Sequence, residues 1–269
     1  MLKEKPSIEK LRWIMSQLRD PETGCPWDIK QNFASITAHT IEEAYEVVDA
    51  IEQQDFTELN KELGDLLFQV IFYSQMGQEQ QLFDFDSVVA SICEKLIRRH
   101  PHVFANAALT SDAQIKANWE NEKAKERQAK NKQDKLSILA DIPTNLPALS
   151  QAAKIQKRCA HVGFDWDNVH DVFAKVAEEV LEVKQELAAN EIDQGALGEE
   201  LGDLMFAVVN LCRHAKQDPE TILRQANKKF TKRFQGVELQ VEQSEKDFAQ
   251  HDLAQLEQYW QNVKKQEKS

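Results

Sequence analysis

Carboxylates stand in two copies of one pattern. Glu42-Glu43-Ala44-Tyr45-Glu46 is followed by Glu62-Leu63-Gly64-Asp65-Leu66-Leu67-Phe68-Gln69-Val70, and Glu178-Glu179-Val180-Leu181-Glu182 by Glu200-Leu201-Gly202-Asp203-Leu204-Met205-Phe206-Ala207-Val208. Seven of the nine positions in the later segment are identical between copies. On a helix, residues three apart share a face, so Glu179 with Glu182 and Glu200 with Asp203 each project as a pair. Antiparallel packing of the two helices would bring four carboxylates together. Like charges that close cost about 1 kcal/mol per pair in water and about 4 at an effective dielectric of 20, so a cation is expected among them. Oxygen donors without a His or Cys partner favour a hard ion, Mg2+ first and Mn2+ as its substitute. A solvated acidic helix face is the competing reading of either copy alone; the repetition favours a site. Gly64 and Gly202 each cost about 1 kcal/mol relative to Ala inside a helix, so close approach of another backbone or side chain is expected there.

The elements that must position these residues are helices. The seven prolines leave long proline-free tracts among 269 residues and glycine is scarce, which predicts helix nearly throughout and an all-α fold. Ser7 caps a first helix that stops at Asp20-Pro21. Further helices are expected across Ile41–Ile51, from Glu58 to about Gln75, from Asp86 to Arg99, and around Trp119. In the second half they run from Ala148 to about Arg158, from Val169 to Leu187, from Leu197 to about His214, and onward from Asp218-Pro219. Gly24-Cys25-Pro26-Trp27-Asp28 and Gly163-Phe164-Asp165-Trp166-Asp167-Asn168 are expected as aromatic loops; Trp27, taken alone, is expected to plug the core. The repeat predicts two helical domains, 1–120 and 148–269, joined by a charged linker over 121–147.

Composition narrows the partners. Lys and Arg total 33 against 45 Asp and Glu, a net charge of -12, which disfavours a nucleic-acid backbone. No apolar run approaches the eighteen or so residues of a spanning helix, and Met1-Leu2-Lys3-Glu4-Lys5 leads into no signal-peptide core. Cys25, Cys93, Cys159 and Cys212 form no C-x-x-C pair and are expected as reduced, packed thiols. A cytoplasmic protein without a membrane segment is expected.

Two echoes follow the carboxylates. Lys95 and Arg99 match Lys229 and Arg233, and Trp119 and Lys123 match Trp260 and Lys264, each pair one helical turn apart. An acidic, cation-loaded centre flanked by Lys and Arg suits a triphosphate, with Lys229 and Arg233 taking the oxygens that the metal does not reach. A Trp near it can stack on a base, worth roughly 1–3 kcal/mol. Without a Ser/His/Asp grouping, a G-x-x-x-x-G-K-[ST] loop or a candidate covalent nucleophile, direct attack by water is the economical mechanism.

The carboxylate pairs, the Gly24–Asp28 loop, Arg98-Arg99-His100-Pro101-His102-Val103-Phe104 and the tandem arrangement together resemble the MazG family of nucleoside triphosphate pyrophosphohydrolases over essentially the full chain. The resemblance implies an all-α fold in which each half is a small bundle completed by dimerisation. It implies Mg2+-dependent cleavage of nucleoside triphosphates, ATP included, between the α and β phosphorus, giving monophosphate and pyrophosphate in a broad nucleotide-pool role. The metal ligands and catalytic set would be Glu179, Glu182, Glu200 and Asp203, with Glu43, Glu46, Glu62 and Asp65 as first-half equivalents. Lys175, Glu178, Glu199, Lys229, Arg233, Trp260 and Lys264 would bind substrate. The second half would be the catalytic one; Lys175 precedes Glu179 by one turn where His39 precedes Glu43, and a mostly neutral imidazole is the poorer phosphate partner near neutral pH. A dUTP-type enzyme of narrow specificity and a non-enzymatic helical scaffold remain the alternatives. A di-iron bundle lacks its E-x-x-H pair, since Gln185 follows Glu182 and Asp49 follows Glu46 at that spacing. A protein partner such as a GTPase leaves no readable motif.

Overall fold

The structure, a computed structural model, describes residues 5–105, 110–130, 137–244 and 246–267. Residues 1–4 and positions 131–136 of the expected linker lie outside the described set. The fold is all-α, with no strand among the described residues. No helix among them is long and apolar enough to cross a membrane. The chain forms two compact units, Met1–Lys132 and Gln133–Ser269, dividing within the charged tract.

The first unit contains α1 (Ile8–Leu18), α2 (Pro26–Lys30), α3 (Thr37–Gln53), α4 (Phe56–Glu79), α5 (Phe85–Arg99), α6 (Pro101–Phe104) and α7 (Asp112–Lys130). Ser7 caps α1 by accepting from the Lys10 N–H, as expected of a hydroxyl at that position. Gln54, at φ 58°, ends α3, and the Asp55 carboxylate accepts from the Thr57 and Glu58 amides to start α4. That two-residue turn forces α3 and α4 to pack along one another. α1 lies on α4, and Met15, Ile36, Ile71, Phe72 and Met76 form the buried core there. The charged tract beyond 120 is helical to Lys130, and Glu126 pairs with Arg99 at 2.6 Å and with Arg98.

The second unit contains α8 (Ala148–His161), α9 (Val169–Leu187), α10 (Gln194–His214), α11 (Pro219–Gln243), a 3-10 turn at Phe248–Gln250 and α12 (Leu253–Gln266). Side chains of Asn168, Asp193 and Asp218 accept from the first-turn amides of α9, α10 and α11, satisfying donors that have no partner inside the helix. α9 packs along α10, α8 crosses onto α10, and α11 pairs with α12 through Val237, Val241 and Val263. Gly163, at φ +88°, makes the turn from α8 into the second aromatic loop.

Several expectations need correction. The first aromatic loop is partly helical: Pro26, with φ preset and no amide to satisfy, opens α2. Trp27 is not a core plug but 52% exposed, its ring centre 6.1 Å from that of His39, and Asp28 is the buried neighbour. Cys93 is exposed rather than packed, although all four cysteines are free as expected. A Cβ added at Gly64 or Gly202 would meet nothing within 4 Å, so the close approach expected at these glycines is not made within the chain. The apolar stripes of α3 and α4 are covered on one side only, leaving Ile41, Tyr45, Ile51, Leu63 and Leu67 exposed.

Candidate metal centre and its cavity

α9 and α10 bring Glu179, Glu182 and Glu200 together, with one oxygen from each within 4.8 Å of the others. Glu179 is 4% exposed. Its Oε1 lies 2.7 Å from Lys175 Nζ, one turn back on the same helix, and the same ammonium lies 3.0 Å from Oε1 of the exposed Glu178. These carboxylates push the Lys175 pKa up. The second oxygen of Glu179, Oε2, is buried without a partner. Burial first, then the charges of Glu179 and Glu200, raise the Glu182 carboxyl above the ordinary range, with Lys175 opposing the rise. Asp203, one turn on from Glu200, lines the adjoining cavity with Lys175 and Glu179 but is not one of the close trio.

The first unit repeats the gathering with a different trio, Glu43, Glu62 and Asp65. Glu43 is raised by burial, then by Asp65 and Glu46, while Glu62 is raised by burial, then by Glu46. No lysine stands in the place of Lys175. His39 instead has Nδ1 3.5 Å from Glu42 Oε2.

Both clusters fit a hard divalent cation. The donors are all carboxylate oxygens, and burial first, then neighbouring negative charge, raises the Glu43, Glu62 and Glu182 carboxyls, an arrangement that a cation would relieve. The fit is stronger in the second unit, where a buried oxygen of Glu179 lacks a donor.

Beside that centre, α8, α9 and α10 enclose a cavity of about 340 Å3. Its walls include Phe206, Trp166 from the second aromatic loop, and two buried amides, Gln156 and Asn210. The loop is pinned to α10. Asp165 Oδ2 accepts from Arg213 Nη1 at 2.9 Å, Oδ1 accepts from Arg213 Nη2, and His214 Nε2 lies 3.0 Å from Oδ1. Arg213, against burial, and then His214 hold the Asp165 carboxyl down to about 2. Gln156, Asn210 and Arg213 were not singled out by motif. The repeat itself carried the signal: seven residues after Asp203 stands Asn210, whereas seven after Asp65 stands Phe72.

The remaining expected residues lie elsewhere. Glu199 is exposed on α10, and Lys229, Arg233, Trp260 and Lys264 belong to the α11–α12 hairpin. None of these five lines the cavity. Arg233 Nε lies 2.8 Å from Glu267 Oε2, and its guanidinium sits 5.9 Å from the Trp260 ring centre. The first unit repeats the arrangement: Arg99 sits 5.2 Å from the Trp119 ring centre and pairs with Glu126. Glu126 and Glu267 each follow their Trp by seven residues, so the tandem echo extends to a Trp-Arg-Glu packing unit.

The MazG nucleotide pyrophosphohydrolase domain model matches residues 31–104 and 168–238, once in each half. The chain is 51% identical over 260 residues to the nucleoside triphosphate pyrophosphohydrolase of Escherichia coli strain K12, covering 97% of this chain and 98% of that one. It is 40% identical over 257 residues to the nucleoside triphosphate pyrophosphohydrolase/pyrophosphatase MazG of Thermotoga maritima, covering 96% and 95%. The two matched segments hold the two carboxylate clusters, and the chain is an enzyme of the MazG nucleotide pyrophosphohydrolase family in its tandem form.

Proposed function

We propose that the second unit hydrolyses nucleoside triphosphates to monophosphate and pyrophosphate in a Mg2+-dependent reaction, with water as the attacking group. The observation that carries the reading is the buried, partnerless Oε2 of Glu179 inside the carboxylate trio, beside Lys175. Glu179, Glu182, Glu200 and Asp203 would hold the ion, with Mn2+ as a substitute. When bound, it supplies positive charge to triphosphate oxygens and acidity to water. Lys175 supplies the counter-charge of Glu179, and the same ammonium stands ready for a phosphate oxygen once the ion engages Glu179. Glu178 on α9 and Glu199 on α10 each stand next to a metal ligand and complete the substrate rim.

Lys229, Arg233, Trp260 and Lys264 reach substrate across a homodimer in this reading. Phe173, Val180 and Leu181 on α9 and Leu201, Met205 and Val208 on α10 are exposed, more apolar surface on one helix pair than a lone unit leaves to water. The open space over Gly202 is then where a second copy approaches. The substrate range is broad across the common nucleotides and serves nucleotide-pool control in the cytoplasm. The first unit, with His39 in place of Lys175, is the weaker centre.

Pyrophosphate release from ATP, GTP, CTP and UTP, with Mg2+ and with EDTA, tests the reading. Release from several substrates with Mg2+ only, falling at least ~100-fold in Glu200→Gln and Asp203→Asn, is the expected result. Full turnover in either variant would move the chemistry away from this centre. Sedimentation velocity at assay concentration tests the dimer; a monomer with full activity would overturn it.

A further inference from the structure

We propose that Glu267 is a positioning residue for triphosphate binding: by holding Arg233 through Nε alone, it fixes the guanidinium and leaves both Nη groups for phosphate oxygens. This rests on the assignment of Arg233 to substrate and adds what holds that side chain in place.

Glu267 is the C-cap of α12, seven residues after Trp260. Gly236, three residues after Arg233, lets α11 and α12 come close, since a Cβ there would meet Val263 Cγ2 at 2.8 Å. With Val237 and Val241 on the same seam, the hairpin is locked about one turn from Arg233. Across it, Arg233 Nε donates to Glu267 Oε2 at 2.8 Å, and the guanidinium lies 5.9 Å from the Trp260 ring centre. Nε is the only nitrogen of Arg233 with a protein partner among the described residues. The end-on fork of Nη1 and Nη2 therefore stays open, and that fork meets a phosphate bidentately.

A carboxylate beside a triphosphate is electrostatically adverse, so its presence there calls for an offsetting role. Preorganisation supplies one. A long side chain free in water loses rotamer freedom when it binds, whereas one already held by an ion pair and an aromatic face loses little more. Glu267 does this from the Nε edge, opposite the fork, and so does not compete for the donors that the phosphate needs.

The first unit supplies an internal comparison. There Glu126 grips Arg99 side-on, accepting from Nε at 3.0 Å and from Nη2 at 2.6 Å, and its Oε1 also accepts from Arg98. The Trp, the Arg and the seven-residue spacing are the same, but one arm of the end-on fork is already taken. Packing alone is served by the two-point grip, which is the stronger of the two. The one-point grip of Glu267 is the arrangement suited to an arginine that faces a ligand, and it falls in the unit with the stronger candidate centre.

The test is calorimetric titration of the full-length protein with Mg2+ and non-hydrolysable α,β-methylene ATP. Arg233→Ala should weaken binding at least ~10-fold. Glu267→Ala should weaken it about 10-fold, while Glu267→Gln, which keeps an acceptor oxygen for Nε, should stay within about 3-fold of wild type. In the Arg233→Ala background, Glu267→Ala should cause no further loss, because Glu267 acts through Arg233; a merely structural role would add to it. Glu267 is partly exposed at the end of α12, outside the valine seam, so both substitutions spare the fold. Unchanged or tighter binding in Glu267→Ala, an equal loss in Glu267→Gln, or a further loss in the double variant would overturn the proposal. Unweakened binding in Arg233→Ala would instead strike the assignment of Arg233 to substrate, and the role of Glu267 with it. A wild type that binds the analogue yet releases no pyrophosphate from ATP would strike the hydrolase reading alone.

Discussion

Lys175 Nζ lies 2.7 Å from Glu179 Oε1, and both groups belong to α9. The most deeply buried carboxylate of the centre therefore brings its counter-charge on its own helix, one turn away, independent of any other element. The other oxygen of that carboxylate is the one left without a donor.

Lys175→Met should leave Glu179 buried and uncompensated. Raising an ammonium pKa stabilises the fold wherever the lysine is charged, so this contribution is complete at neutral pH and is lost only as pH rises through the elevated folded value. The ammonium is partly exposed, which limits the loss to about 1 kcal/mol. Thermal melts in EDTA should show the drop, and saturating Mg2+ should recover most of it. A melt unchanged in EDTA would remove Lys175 from the support of Glu179.

Glu182→Gln should act in opposite directions on stability and catalysis. Its folded pKa is raised by burial and by the charges of Glu179 and Glu200. The ionised carboxylate therefore opposes folding once pH climbs past the unfolded value, and the opposition is absent below it. In EDTA near neutral pH the variant should melt above wild type, and the two should converge as pH falls toward the ordinary carboxylate range. Turnover should fall at least ~100-fold. A lower melt for the variant in EDTA at neutral pH would show that the carboxylates do not strain one another.

Asp165→Asn should loosen the second aromatic loop. The Asp165 carboxyl is held down to about 2 by Arg213 and His214. Its contribution is present above the unfolded value near 3.8 and disappears as pH falls through the folded one. With part of the carboxylate in contact with water, the loss at neutral pH is about 1 kcal/mol. Wild type and variant melts should meet near pH 2. A constant difference down to that pH would show that the ion pair is not its source.

Trp260→Ala should raise KM about 10-fold if the ring stacks on substrate, with a smaller effect on kcat. Within the chain the ring lies 5.9 Å from the Arg233 guanidinium and 5.0 Å from Phe230. An unchanged KM accompanied by a lower melting temperature would make it a packing residue of the α11–α12 hairpin.

Much of this was legible because helix periodicity is local. The caps at Ser7 and Asp218, the span Val169–Leu187 and the pairing of acids three apart follow from the backbone geometry of one helix at a time. Trp27 went astray because a short-range pattern cannot tell which side of a loop faces water, and Pro26 had already turned part of that loop into helix.

The sequence by itself determined the helices, the tandem repeat and the carboxylate identity of the centre, because each depends on residue type and spacing along the chain. Only the tertiary structure decided which three oxygens of each quartet come close, that Arg233 packs against Trp260 and Glu267, and that Gln156 and Asn210 face a shared cavity. Those outcomes depend on how α3 settles on α4, α8, α9 and α10 on one another, and α11 on α12, and on side-chain hydrogen bonds spanning some fifty residues, such as Gln156 to Phe206 and Arg213 to Asp165. No spacing rule along one helix encodes them.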